Sequence, residues 1–173
     1  APTTMTFEQH PTPIADVLVV IDNSGSMADE APALETQIES FLAYASASRL
    51  DFHLGLISMD VGSGRDGALV GPVINSSTPD AEGVWRAAIA AIGYDGGPTE
   101  QGFEASRLAL LERNPGFLRS AGLGIIYVSD EDDQSALSFG DLADALDRDR
   151  GTAYGSVVVN AIVGPRPNGC QGP

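Results

Sequence analysis

The feature that most constrains this chain is the run Val17-Leu18-Val19-Val20-Ile21, apolar at every position and rich in β-branched residues. A strand with one solvated face alternates apolar and polar residues. A strand that is apolar throughout has to be covered on both faces, as happens inside a parallel sheet. Leu123 to Val128 and Val157 to Val163 repeat the signature. Between them, Leu34, Ile38, Phe41, Leu42 and Ala45 recur at helical spacing, as do Val84, Trp85, Ala88, Ile89 and Ile92. Ala105 with Leu108 and Ala109 marks a third helix, and Phe139, Leu142 and Leu146 a fourth. Phe52, Leu54 and Leu56 alternate as in a strand, and Ala68 to Ile74, broken by Gly71 and Pro72, reads as a weak edge strand. Strands alternating with helices predict an α/β fold: an open, doubly wound, mostly parallel sheet, helices on both faces, with one antiparallel edge strand.

With 173 residues, 43% of them hydrophobic, one domain with one substantial core is expected. Residues 1–15 form a Pro- and Thr-rich leader or linker without periodicity, residues 16–163 carry the fold, and 164–173 form an irregular Pro/Gly-rich tail. The opening Ala-Pro-Thr-Thr lacks the basic-then-apolar pattern of a signal peptide, and no stretch reaches the ~20 apolar residues of a membrane span. The formal charge is −15, and all nine cationic residues are arginines. Such a body makes a poor partner for nucleic acid or an anionic membrane; the same charge suits both solubility and cation binding. Cys170 is the sole cysteine, so it has no internal disulfide partner.

The segment most informative about chemistry is Asp22-Asn23-Ser24-Gly25-Ser26-Met27, directly after the first apolar run. In open α/β sheets, ligands gather beyond the carboxyl ends of the strands. A carboxylate with two hydroxyls there is an oxygen set, suited to a hard cation and not to zinc or copper. Two further oxygens stand at other element ends: Thr99 in Asp95-Gly96-Gly97-Pro98-Thr99-Glu100, before the third helix, and Asp130 after the run ending at Val128.

Together Asp22, Ser24, Ser26, Thr99 and Asp130 resemble the metal-ion-dependent adhesion site of von Willebrand factor A (vWA) domains, built from D-x-S-x-S, a threonine and an aspartate. The resemblance covers roughly residues 16–163 and looks closest to bacterial secreted or surface-displayed members. It implies one divalent cation (Mg²⁺, Ca²⁺ or Mn²⁺) held directly by Ser24 and Ser26, by Thr99 directly or through water, and by Asp22 and Asp130 largely through water. It also implies an open coordination position for an Asp or Glu carboxylate of a protein partner, an extracellular or cell-surface location, and a place within a larger chain. Family members continue past Val163 with another helix and often a strand, neither recognisable here. Gln134 stands where the bacterial relatives would carry a cysteine to pair with one near the tail.

The expectation is therefore a cation-dependent binding module for protein-protein interaction or adhesion, not an enzyme. A metal-assisted hydrolase with Asp22 or Asp130 as base would need a histidine, second metal or oxyanion donors that the sequence does not supply. An intracellular vWA subunit docking on an ATPase complex is the third alternative. Asp132 and Asp133 allow a second, calcium-type site, although solvated acidic residues at a helix start are commoner. His10, in the leader, and His53, on a strand, do not form a catalytic pair, Trp85 belongs to the core, and Gly62-Ser63-Gly64 is a turn.

Overall fold

The computed structural model describes residues 13–29, 31–150 and 156–163. Strands β1 (Ile14–Ile21), β2 (Asp51–Ser58), β3 (Gly122–Val128) and β4 (Val157–Ile162) form one sheet in the order β2-β1-β3-β4. Every pairing is parallel. The helices are α1 (Ala31–Ala47), α2 (Ala81–Ile92), α3 (Gly102–Leu108, running on into a π-helical turn at Ala109–Arg113) and α4 (Phe139–Arg150).

Alternate residues of β1 enter two separate cores, which is why no position in the run is polar. Val19 and Ile21 pack with Ile38, Trp85, Ile89 and Ile92 of α1 and α2, whereas Leu18 and Val20 pack with Ala105, Ala109, Leu142 and Leu146 of α3 and α4. Each side chain buried this way contributes roughly 1.5–3 kcal/mol. Local signals set the helix starts: the Asp80 carboxylate accepts from Gly83 N, and Ser138 and Asp141 exchange hydrogen bonds before α4 in a capping-box pattern.

Three expectations need correction. No antiparallel edge strand forms over 68–74. Only an isolated antiparallel bridge joins Leu54 to Ile74, with Val70 N donating to Leu56 O. Between those contacts Gly71 takes a positive φ of 80°, and Pro72 has no N–H to give to a ladder. The apolar run Val157–Val163 is a parallel strand, yet it is not buried on both faces. As the edge strand it keeps Val158 and Ile162 exposed and only Val159 half-buried. At the other end of the sequence, β1 takes in Ile14 and Ala15, which the sequence placed in the leader.

The register places the strand ends level. Ile21 pairs with Ser58 on one side and Val128 on the other, so the loops after β1, β2 and β3 leave the sheet side by side. The chain passes from β1 to β2 on one flank and then crosses to β3 on the other. That reversal opens a crevice at the carboxyl ends of β1 and β3. At the opposite end, fully buried Asp16 is answered by Arg119, whose backbone N and Nε reach its two oxygens at 2.6 and 2.7 Å.

Candidate metal centre

Asp22 is the first residue past β1, and its N–H closes the last rung to Val128 O at 2.9 Å. That rung holds its side chain, fully buried, in the crevice. One carboxylate oxygen accepts from Ser24 N at 2.8 Å, forming an Asx turn, and the other accepts from Ser129 Oγ at 2.7 Å. The turn leads into a short 3₁₀ segment, Gly25–Asp29, pinned by buried Met27. Its curvature brings Ser24 Oγ to 3.0 Å from Ser26 Oγ, and Ser26 Oγ donates to Asp130 Oδ1 at 3.2 Å. Four of the five sequence-predicted residues are thus joined in one hydrogen-bonded set that runs from Asp22 through Ser24 and Ser26 to Asp130, with Ser129 held on the other oxygen of Asp22.

Thr99 stands on the neighbouring loop, exposed, and makes no hydrogen bond to the other four. Its loop is nevertheless anchored against the site. Gly96 N donates to Asn23 O at 3.0 Å, and a Cβ on Gly96 would lie 2.6–2.8 Å from Asn23 atoms, so only glycine permits this approach. Asn23 is itself buried and accepts from Ser58 Oγ at 2.6 Å. Gln134 ties the loop after β3 to the same segment: its N donates to Glu100 O at 2.6 Å and its Nε2 to Glu100 Oε2 at 3.2 Å.

Glu100, the residue after Thr99 and outside the five-residue motif, is only 3% exposed. Burial, and then the negative charges of Asp22 and Glu131, push its carboxyl up to about 7. Ser129, equally unremarked in sequence beyond the Ser-Asp ending of its strand, orients Asp22 and also accepts from Glu131 N at 2.9 Å. The burial of Glu100 depends on the fold and leaves no local sequence signal. A serine immediately after an apolar strand and beside Asp130 was the available hint for Ser129.

The donor set fits a hard cation. In an octahedron with metal-oxygen distances of about 2.0–2.1 Å, neighbouring oxygens lie about 2.9 Å apart. The Ser24–Ser26 and Ser26–Asp130 oxygen separations, 3.0 and 3.2 Å, are close to that edge. Among the described residues no three His, Cys, Asp or Glu side chains converge to hold a metal, so the site offers two carboxylates supplemented by hydroxyls.

Other sequence candidates take structural places. Asp133 accepts from Phe103 N at 3.0 Å and Ser135 N at 2.9 Å, so its carboxylate covers the start of α3. His53 Nδ1 lies 3.0 Å from Phe117 O, and Trp85 is buried with its Nε1 donating to Leu34 O at 3.1 Å. Gly62 and Gly64 take positive φ in a turn. His10, Cys170 and the tail 164–173 lie outside the described residues. No described helix is long and apolar enough to cross a membrane.

No protein-family model and no curated protein matches this chain. Solved structures do. Proximal thread matrix protein 1 from the mussel byssus superposes with a TM-score of 0.53 at 15% identity, covering 87% of this chain and 35% of that one. The pilus adhesin SpaC of Lactobacillus rhamnosus GG, in its open conformation, gives a TM-score of 0.46 at 21% identity, covering 71% of this chain and 15% of the adhesin. The chain therefore spans about a third or less of the length of either protein, and the likeness to the byssal protein concerns the fold alone.

Proposed function

We propose that this chain is a vWA-type binding module that holds one divalent cation (Mg²⁺, Ca²⁺ or Mn²⁺) at Asp22, Ser24, Ser26, Thr99 and Asp130, and that it is not an enzyme. The observation that carries this is the gathering of Ser24, Ser26 and Asp130 oxygens at octahedral-edge spacing, beside a carboxylate buried at the crevice where strand order reverses. Buried carboxylates are stable when paired or when they coordinate a metal. Asp22 has hydrogen bonds from Ser24 and Ser129, and no described arginine forms an ion pair with it.

When bound, the cation supplies positive charge and an open position for an acidic group of a protein partner. The chain's own residues supply the rest: Ser129 orients Asp22, and the Asx turn presents the two serine hydroxyls. The loop held on Asn23 keeps Thr99 at the rim. The surrounding acidic residues would repel an acidic partner in the cation-free protein, so partner binding is cation-dependent. A surface or extracellular setting within a longer chain completes the proposal, on the strength of the sequence motif.

The test is thermal unfolding of chelator-treated protein with and without cation. At a hundredfold excess over the dissociation constant, binding to the folded state adds about 2.7 kcal/mol. That corresponds to a rise of roughly 5–10 °C for a domain of this size. Asp22→Ala should fold, by circular dichroism, yet show no cation-induced rise; an undiminished rise in that variant removes the site.

A further inference from the structure

We infer that the loop leaving β2, through Ser58 and Asp60, positions the Thr99 loop against the cation site and thereby sets how much Thr99 contributes to holding the cation. Neither residue belongs to the five-residue set. The role rests on the cation reading above and extends it to a strand end that supplies no ligand.

Thr99 lies on a segment that has little hold on its own shape. Residues 93–100 include Gly93, Gly96 and Gly97, and glycine loses more conformational freedom on ordering than any other residue. Affinity for a hard cation is tuned by ligand charge and by site rigidity. The Thr99 hydroxyl brings no charge, so its contribution depends on being held in place beforehand. The β2 loop brackets the segment. Just before it, Arg65 donates to the carbonyls of Ala91 and Ile92, each at 3.0 Å. Within it, Asp60 Oδ1 accepts from Gly97 N at 3.3 Å, and just after it, Met59 O accepts from Gln101 N at 3.2 Å.

Ser58 ties that bracket to the loop after β1. It is buried, and its Oγ donates to Asn23 Oδ1 at 2.6 Å while accepting from Asp60 N at 2.9 Å. Asn23 stands between Asp22 and Ser24, and its carbonyl accepts from Gly96 N at 3.0 Å. One hydroxyl therefore fixes Asp60 relative to Asn23, and these two hold the consecutive amides of Gly97 and Gly96. The Thr99 loop is in this way set against the loop that carries Asp22, Ser24 and Ser26. Without the hydroxyl, Asn23 Oδ1 and Asp60 N both lose this partner, and the two anchors are no longer tied to each other.

The experiment measures Mn²⁺ affinity by calorimetric titration for wild type, Thr99→Val, Ser58→Ala, Asp60→Ala, Asp60→Asn and the double variant Asp60→Ala/Thr99→Val, each checked for folding by circular dichroism. Ser58→Ala and Asp60→Ala should each lose about tenfold in affinity, the loss typical of a supporting residue of a metal site. In cation-free protein both should also speed hydrogen exchange at the Gly97 amide. Asp60→Asn keeps an acceptor for Gly97 N and removes only the charge, so it should bind nearly as wild type does. Because Asp60 acts through Thr99, Asp60→Ala should lose nothing further in the Thr99→Val background. Asp60→Asn as weak as Asp60→Ala would make Asp60 a charge that attracts the cation, and additive losses in the double variant would disconnect it from Thr99; either result overturns the inference. If Ser58→Ala does not fold, the Asp60 variants decide alone. If wild type binds and Thr99→Val binds less, but Ser58→Ala and Asp60→Ala match wild type, the cation reading stands and only the positioning role fails. If wild type takes up no cation, or Thr99→Val binds as wild type does, the site or its Thr99 ligand fails and the positioning role falls with it.

Discussion

In cation-free protein, Glu100 should make folding less favourable as pH rises, and the size of the effect follows from its surroundings. Its carboxyl titrates at 4.5 in the unfolded chain and at about 7 in the folded one, raised by burial first and by Asp22 and Glu131 next. Below pH 4.5 both states hold the proton and no penalty exists. Between 4.5 and about 7 the unfolded chain releases it while the folded chain keeps it, so stability drops through that window and levels off above it. At 1.36 kcal/mol per pH unit the loss is about 3 kcal/mol. On a domain of this size that is a melting decrease of roughly 10 °C. Urea unfolding in excess chelator from pH 5 to 8, on wild type and Glu100→Gln, isolates the contribution, because every other carboxylate is common to both. Wild type should lose stability relative to the variant as pH rises. Parallel curves, or a wild type that gains on the variant with rising pH, would refute the placement of Glu100 among negative charges.

Three other perturbations probe the frame around the site. Arg119→Met removes the guanidinium from buried Asp16, leaving it the backbone N–H of residue 119 and the His53 ring 3.9 Å away, and should cost about 3 kcal/mol in urea unfolding, with Arg119→Lys recovering part of it. Gly96→Ala drives a Cβ into Asn23 and should push the Thr99 loop off the site, costing about 1–3 kcal/mol and weakening cation binding. Ser129→Ala removes the donor to Asp22 Oδ2 and should lower cation affinity about tenfold in calorimetry while leaving the far-ultraviolet spectrum unchanged.

Much of the fold was legible because its signals are local. The apolar run of β1 announces cover on both faces, and Leu18 and Val20 do face one core while Val19 and Ile21 face the other. The spacing of Trp85, Ile89 and Ile92 likewise marks the buried stripe of α2. Where the outcome depends on a distant neighbour, the same signals mislead. Val157–Val163 has the composition of a central strand, but composition does not say what lies beside it, and β4 is an edge. Ala68–Ile74 has apolar residues enough for a strand, but Gly71 and Pro72 leave it one bridge.

The candidate site divides the same way. Asp22, Ser24, Ser26 and Asp130 were legible because each stands at a recognisable element end, and the structure joins them. Thr99 stands exposed on the neighbouring glycine-rich loop, and its hydroxyl is not hydrogen-bonded to that set. Glu100 was hidden because its burial is produced by Gln134 and by the loops around it, contacts between residues 34 positions apart in the chain.

The most direct test of the account is calorimetric titration of chelator-stripped protein with Mg²⁺, Ca²⁺ and Mn²⁺, beside Asp22→Ala and the double variant Ser24→Ala/Ser26→Ala. The account predicts binding of a single cation by wild type, lost in Asp22→Ala and severely weakened in the double variant, with all three proteins folded. Absence of binding by folded wild type, or binding that survives both variants, would contradict it.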